Sequence, residues 1–210
     1  MDVSAVMVQL SIWGLPVLAA VVLHELAHGY SAFLLGDTTA ARMGRLTLNP
    51  MAHIDVFGTV LLPLLLIASG SPFLFGYAKP VPVDFTRLKS PRRDMVRVAA
   101  AGPAMNMVLA VLSAFALKFL LSLQFIDDGL IARSLLASVL INVVLAVFNL
   151  VPLPPLDGGR IATGLLPRGP AIVLARLEPY GMLIVMMLLM TGILGGILNP
   201  VRMLLLNVLL

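Results

Sequence analysis

The stretch IWGLPVLAAVVLHELAHGY, residues 12–30, places three ionisable side chains directly after an apolar run. Ile12 to Leu23 are apolar apart from one glycine, and His24, Glu25 and His28 follow. Ionisable groups are costly to bury in a membrane or an apolar core unless they pair with one another or bind an ion. The stretch therefore predicts a membrane-embedded helix that carries a functional site.

The composition of the whole chain indicates an integral membrane protein. Of its 210 residues, 60% are hydrophobic and 11% are charged, and the mean hydropathy is +1.05. A length of 210 residues accommodates several membrane spans of roughly 20 residues each but no separate soluble domain. We therefore expect one membrane-embedded domain over residues 1–210. The net charge of +4 is spread over loops, which is typical of membrane orientation and does not indicate nucleic acid binding.

The fold predicted from these patterns is an all-α membrane protein with about five to six transmembrane or re-entrant helical segments. The apolar stretches lie at about residues 4–35, 54–77, 92–123, 130–150 and 171–194, with a short tail after Pro200. Glycines and prolines interrupt the second stretch, which therefore either crosses the membrane or re-enters it.

A small β-strand element is expected after the HELAH helix. Residues Arg45 to Leu48 alternate as a short strand would, and Val81 and Val83 alternate with prolines in an extended edge. The two stretches could hold an unwound substrate by strand addition, or they could be ordinary loops.

The HELAH motif predicts a metal site with a general base beside it. Residues four apart on a helix share one face, so His24 and His28 can direct their imidazoles at one ion. A zinc ion held by two histidines needs one more protein ligand and an open position for water, whose pKa it lowers towards about 7. Glu25 can reach such a water and accept its proton.

The third ligand is expected from another segment. In NLVPLPPLDGGR, residues 149–160, three prolines break a helix before Asp157, and irregular backbone near membrane depth is tolerated where it lines a cavity. A carboxylate also offsets the charge of the ion. His53 would complete a three-histidine set instead, and Asp157 could also lie in a plain cytoplasmic turn.

Several spaced motifs together resemble the site-2 protease family of intramembrane zinc metalloproteases, in its short form. Besides HELAH they are GRLTLNPMAHID at 44–55, GYAKPVPVD at 76–84, AGPAMN at 101–106 and NLVPLPPLDGGR at 149–160. The resemblance covers about residues 14–165. It implies an endopeptidase with one Zn²⁺ ion, with His24, His28 and Asp157 as ligands and Glu25 as the catalytic glutamate. The PDZ or CBS domains of many members have no counterpart here.

The resemblance also implies a substrate and a further site residue. The substrate would be a transmembrane protein, cleaved within the lipid bilayer as part of regulated proteolysis. Asn149 matches a family asparagine near the site, where it could donate a hydrogen bond to the oxyanion, or it could cap its helix. His53 could be a polar group that faces the substrate, or it could be interfacial.

Two other classes of function remain open at this point. A metal, ion or proton-coupled transporter could use the same His, Glu and Asp cluster, and a catalytically silent scaffold is a second alternative. The loops at 79–97 and 160–168 are basic, whereas the 122–130 turn carries two aspartates and no basic residue. This asymmetry predicts an active site reached from the cytoplasmic side. A short chain of this type indicates a prokaryotic plasma membrane. The sequence leaves the oligomeric state open.

Overall fold

A computed structural model describes residues 3–70, 76–124 and 129–210. The described residues form nine α-helices: α1 (Val3–Leu34), α2 (Thr39–Arg42), α3 (Leu62–Ala68), α4 (Pro91–Ser122), α5 (Leu130–Asn149), α6 (Asp157–Leu165), α7 (Arg168–Ala175), α8 (Glu178–Met190) and α9 (Ile193–Leu209). Short 3₁₀ turns lie at Pro50–His53 and Phe85–Arg87, and a π-helical turn at Val56–Leu61 leads into α3. The acidic turn with Asp127 and Asp128, on which the orientation prediction partly depends, lies outside the described residues.

Three of the described helices are long and apolar enough to cross a membrane. They are α1, α4 and α5, and a fourth span is possible if α7 and α8, which meet at 70°, are counted as one broken span. The all-α membrane class is confirmed, but five to six segments are not. The reason is that the other apolar helices are shorter than a span, and Gly70 and Gly192, both with positive φ, follow the ends of α3 and α8.

The predicted β-strand element is not confirmed, because the described part of the chain contains no β-strand. Residues 45–48 are irregular, and residues 76–84 have no regular secondary structure. Pro80 and Pro82 lack the N–H that a ladder requires, and the guanidinium of Arg45 binds the carbonyl groups that a partner strand would use.

The core lies between α1, α4 and α5, which pack through small residues. Ala20, Ala110 and Ala146 are completely buried, whereas large side chains such as Leu15 and Phe115 lie on the outer surface. Small residues let helix backbones approach closely, which is how helices associate where water does not drive them together. The large outer side chains are then available to the lipid.

The turn between α5 and α6 brings the chain back against the core. A Cβ atom at Gly158 would collide with the carbonyl groups of Leu150 and Val151, and one at Gly159 would collide with the backbone of Leu153 and Pro154. Only glycine permits this approach. The two glycines of the DGG sequence therefore allow α6 to begin at Asp157 directly against the end of α5.

Candidate metal centre

Three buried side chains from two helices converge at one point. His24 and His28 lie one turn apart on α1, and Asp157 is the first residue of α6. The two Nε2 atoms are 3.1 Å apart, and each lies 3.2 Å from Oδ2 of Asp157. The three atoms thus form a nearly equilateral triangle of possible metal ligands.

The opposite nitrogen of each imidazole is bound to a carbonyl oxygen. His24 Nδ1 lies 2.6 Å from the side-chain oxygen of Asn106, and His28 Nδ1 lies 2.7 Å from the backbone oxygen of Val98. An oxygen of this kind only accepts, so each Nδ1 must donate its proton. Both Nε2 atoms consequently direct a lone pair at the carboxylate in the neutral tautomer.

The orientation of the Asn106 amide follows from its other contacts. Its Nδ2 donates to the backbone oxygen of Ala20 at 3.2 Å and to Oδ1 of Asn142 at 2.8 Å. The Asn142 amide in turn donates to the backbone oxygen of Ser138 at 2.9 Å. With both amide hydrogens used, only the oxygen of Asn106 can face His24.

The three ligand atoms fit a zinc ion. In that neutral tautomer two lone pairs and a carboxylate oxygen meet with no proton between them, and Oδ2 of Asp157 is buried with no hydrogen-bond partner. Zinc bonds of about 2.0 to 2.1 Å at tetrahedral angles separate the ligand atoms by about 3.3 to 3.4 Å. The observed separations of 3.1 and 3.2 Å are close to that requirement.

Gly102 on α4 leaves the space that an ion would need. A Cβ atom at this position would lie 2.6 Å from Nε2 of His24 and would also collide with Nε2 of His28. Two residues of the AGPAMN motif therefore contribute to the site in different ways. Gly102 borders the ligand atoms and Asn106 orients one of them.

Glu25 lies beside the metal ligands and is held by a loop. Its Oε2 accepts the N–H of Val81 at 2.7 Å. Asp37 holds the same loop, because its Oδ2 accepts the N–H of Asp84 at 2.7 Å. Burial acts to raise the pKa of Asp37, but hydrogen bonds from Thr39 and from the Asp84 amide outweigh it, so the pKa lies below its usual range. Asp37 therefore stays ionised and keeps the loop in place near neutral pH.

A cavity of about 270 Å³ opens beside the ligand atoms. Its walls come from α1, α4, α5, α6, α8 and the 76–84 segment, and they include Glu25, Tyr77, Phe85, Asn149, Arg160 and Met182. Asn149 is the last residue of α5, and its amide donates one hydrogen bond to the backbone oxygen of Leu145 at 3.0 Å. It thus occupies both positions considered for it, at a helix end and on the cavity wall.

His53 lies apart from this cluster. It is 2% exposed, its Nε2 lies 2.9 Å from the backbone oxygen of Thr47, and it is not among the described residues that line the cavity. His53 is therefore buried and bound to the backbone of a neighbouring loop. The structure therefore brings Asp157, and not His53, to the two histidines of HELAH.

Sequence reasoning missed Asn106 and Gly102 as members of the site. From the sequence, AGPAMN is only one of the motifs of a family resemblance, and neither its glycine nor its asparagine is given a role in the site. A polar side chain in an otherwise apolar membrane helix is the signal that could have identified Asn106, since such groups rarely lie in a membrane without a partner.

A helical membrane protein with two histidines, a carboxylate and an adjacent glutamate around one buried point has the architecture of a membrane-embedded metallohydrolase. The family model of Peptidase family M50 matches residues 14–128 and 123–192. The chain therefore belongs to peptidase family M50, the site-2 proteases, and the resemblance found in its sequence is confirmed. The family assignment makes it an intramembrane zinc metalloendopeptidase and does not support the transporter alternative.

Individual relatives agree with this assignment. The "Putative zinc metalloprotease YwhC" of Bacillus subtilis is 40% identical over 183 residues, which cover 85% of this chain and 80% of the relative. The "Putative zinc metalloprotease Rip2" of Mycolicibacterium smegmatis is 35% identical over 177 residues, which cover 83% of this chain and 64% of the relative. No solved structure matches the chain significantly.

The packing at Gly102 gives a test of the ion's position. We expect Gly102→Ala to lose most of its zinc, because the new methyl group would occupy the space beside both Nε2 atoms. The helix itself should be unharmed, since alanine favours helix more than glycine by about 1 kcal/mol. Metal analysis of the purified protein measures the loss.

Gly14 provides the matched control, because a Cβ atom there would meet nothing within 4 Å. Gly14→Ala should keep zinc at the wild-type level. A full complement of zinc in Gly102→Ala would show that the ion does not lie against α4.

Proposed function

We propose that His24, His28 and Asp157 hold one Zn²⁺ ion and that Glu25 is the general base for peptide hydrolysis. The observation that carries this proposal is the convergence of three acceptor atoms, 3.1 to 3.2 Å apart, in a buried site beside Glu25. When bound, the ion supplies Lewis-acid polarisation of the scissile carbonyl group and of the attacking water.

The protein's own groups would carry the proton and orient the ligands. Glu25 would accept a proton from the attacking water and pass it to the leaving amine. Asn106 and the backbone of Val98 would keep both imidazoles in the tautomer that binds metal. Asn149 would use its remaining amide hydrogen to bind the oxyanion or the substrate carbonyl group from the cavity wall.

The proposed substrates are transmembrane proteins with a segment that can unwind. The cavity lies between membrane helices, so a substrate would reach it from the lipid. A helical peptide bond is poorly accessible, because its N–H and C=O are engaged and its side chains surround the backbone. Substrates with glycine or proline in their spans should therefore be preferred, because these residues weaken a helix.

We also propose how the chain sits in the membrane. Residues 1–210 would form one domain in which the shorter apolar helices at 56–68 and 168–190 enter the bilayer without each adding a full crossing. The basic residues of the 79–97 loop and of the α6–α7 region would place the metal end of the bundle at the cytoplasmic side of a prokaryotic plasma membrane.

The role of Glu25 is tested by Glu25→Gln. We expect zinc to stay bound while peptide cleavage falls at least 10²-fold, because general-base catalysis typically contributes about 10² to 10⁴. Suitable probes are synthetic peptides in detergent micelles, each with an apolar segment of roughly 20 residues interrupted by glycine and proline. As a control, Glu178→Gln makes the same change at an exposed glutamate outside the cavity wall; its 3.9 Å contact with Arg160 is long and solvent-exposed, so cleavage should stay near the wild-type rate. Near-wild-type cleavage by Glu25→Gln would remove Glu25 from the mechanism.

A comparison of two variants tests the third ligand. Asp157→Ala should lose most of its zinc and all cleavage, because the two imidazoles alone leave the ion without a neutralising carboxylate. His53→Ala should keep zinc near one equivalent and lose activity at most partly. Zinc analysis that gave the opposite result, with His53→Ala empty and Asp157→Ala full, would mean that the site is built differently.

Cysteine labelling tests the orientation, and the native chain has no cysteine to interfere. Lys89 and Gly169 are exposed near the metal end, and Leu123 is exposed beyond the far end of α4. An impermeant maleimide should label Lys89→Cys and Gly169→Cys only in inverted vesicles, and Leu123→Cys only in intact cells. The reverse pattern would place the active site on the opposite side.

A further inference from the structure

The orientation of Glu25 depends on one peptide group in the 76–84 segment. Oε2 of Glu25 accepts the N–H of Val81 at 2.7 Å, and the other carboxylate oxygen makes no hydrogen bond to a described residue. Pro80 and Pro82 flank Val81 and have no N–H. Val81 is therefore the one backbone donor that residues 80–82 can offer to the carboxylate.

Arg45 holds the same peptide group from its other side. Its Nη2 donates to the backbone oxygens of Lys79, at 3.0 Å, and Pro80, at 3.3 Å. The Pro80 carbonyl and the Val81 N–H belong to one planar peptide unit, in which they point in opposite directions. Arg45 and Glu25 thus bind the two sides of one rigid unit.

Arg45 is buried, and the two carbonyl contacts are its only compensation from the described residues for the loss of solvent around the guanidinium. The residue is 9% exposed, it forms no ion pair with a described residue, and its Nε is buried without a hydrogen-bond partner. A desolvated guanidinium without a carboxylate is costly, and an apolar side chain would fill the same space at a lower cost. The two carbonyl contacts are what distinguishes arginine from such a side chain here.

We propose that Arg45 is a positioning residue for the Glu25 carboxylate and that it acts through the Pro80–Val81 peptide group. This inference rests on the proposed role of Glu25 as the base. The guanidinium fixes the rotation of the peptide plane, and its charge polarises the peptide so that the Val81 N–H becomes a stronger donor. The carboxylate then has one orientation instead of several, which proton transfer to and from a bound water requires.

The ends of the segment are held by other contacts. The Lys79 N–H donates to the backbone oxygen of His53 at 2.9 Å, and the Asp84 N–H donates to Asp37 at 2.7 Å. Neither contact constrains the rotation of the Pro80–Val81 peptide. Loss of the Arg45 side chain should therefore free this one unit without releasing the whole segment.

Kinetics of Arg45 variants provide the first test. With an apolar-segment peptide that the wild type cleaves, Arg45→Gln should lower kcat roughly ten-fold or more, the effect of losing one hydrogen bond to a charged group. KM and zinc content should stay near their wild-type values, and Arg45→Lys should recover part of the lost kcat because it keeps a charged donor. Arg42→Gln, the same change at an exposed arginine three positions earlier, should behave as wild type.

A double-mutant cycle tests whether Arg45 acts through the Val81 N–H. Val81→Pro removes that hydrogen and should lower kcat by itself. Arg45→Gln should then cause little further loss in the Val81→Pro background, because both changes remove one interaction. Multiplied losses in the double variant would overturn the proposal.

Amide hydrogen exchange gives a readout that needs neither activity nor metal. Between residues 79 and 82 only Lys79 and Val81 have an amide hydrogen, so the exchange of Val81 can be resolved by mass spectrometry. Arg45→Gln should speed exchange at Val81 roughly ten-fold or more while Lys79 stays protected. If Val81→Pro fails to fold, this measurement decides alone, and unchanged exchange at Val81 would overturn the proposal.

The Glu25→Gln variant separates the role of Glu25 as the base from the role of Arg45 in positioning it. Cleavage by Glu25→Gln at the wild-type rate would remove the proposed base and the positioning role with it. An inactive Glu25→Gln together with a fully active Arg45→Gln would overturn the positioning role alone. Loss of zinc from a folded Arg45→Gln would also overturn it, because the residue would then act on the metal site.

Discussion

Two imidazole nitrogens and a carboxylate oxygen lie within 3.2 Å of one another inside an apolar helical bundle, an arrangement that a cation bound between them stabilises. The surrounding contacts keep both imidazoles in the form that binds such a cation. Carbonyl oxygens of Asn106 and Val98 bind the Nδ1 protons of His24 and His28, which removes the tautomer that could donate to the carboxylate. Neutral lone pairs and one negative oxygen remain, and the cost of burying them is offset when the ion binds.

The need to bring the three ligand atoms together also explains the positions of three glycines. Gly102 keeps α4 free of a side chain that would collide with the Nε2 atoms of both histidines. Gly158 and Gly159 let the turn after α5 press against its own carbonyl groups, so that Asp157 returns to the level of the two histidines. The irregular backbone of this turn lies against protein and borders the cavity, which is the setting in which a membrane protein tolerates it.

How much of this could be predicted from the sequence depends on the distance along the chain over which each contact acts. Helical spacing alone predicts that His24 and His28 share one face. Asp157 could be inferred because the prolines and glycines around it indicate irregular backbone. Asn106 is 82 positions from its partner His24, and nothing local reveals that contact. The strand expected at Arg45 is not present, and this too involves a contact between distant residues, because the Arg45 side chain binds the carbonyl groups of Lys79 and Pro80.

Those contacts also limit how the 76–84 segment can meet a substrate. Strand addition needs free backbone donors and acceptors along an edge. Here the Val81 N–H is bound to Glu25, the carbonyl groups of Lys79 and Pro80 are bound to Arg45, and the prolines have no N–H. A substrate backbone therefore finds no free N–H between Lys79 and Pro82. The segment thus supplies a fixed donor to the proposed base, and a substrate strand that needs an N–H donor from this segment would have to find it outside residues 79–82.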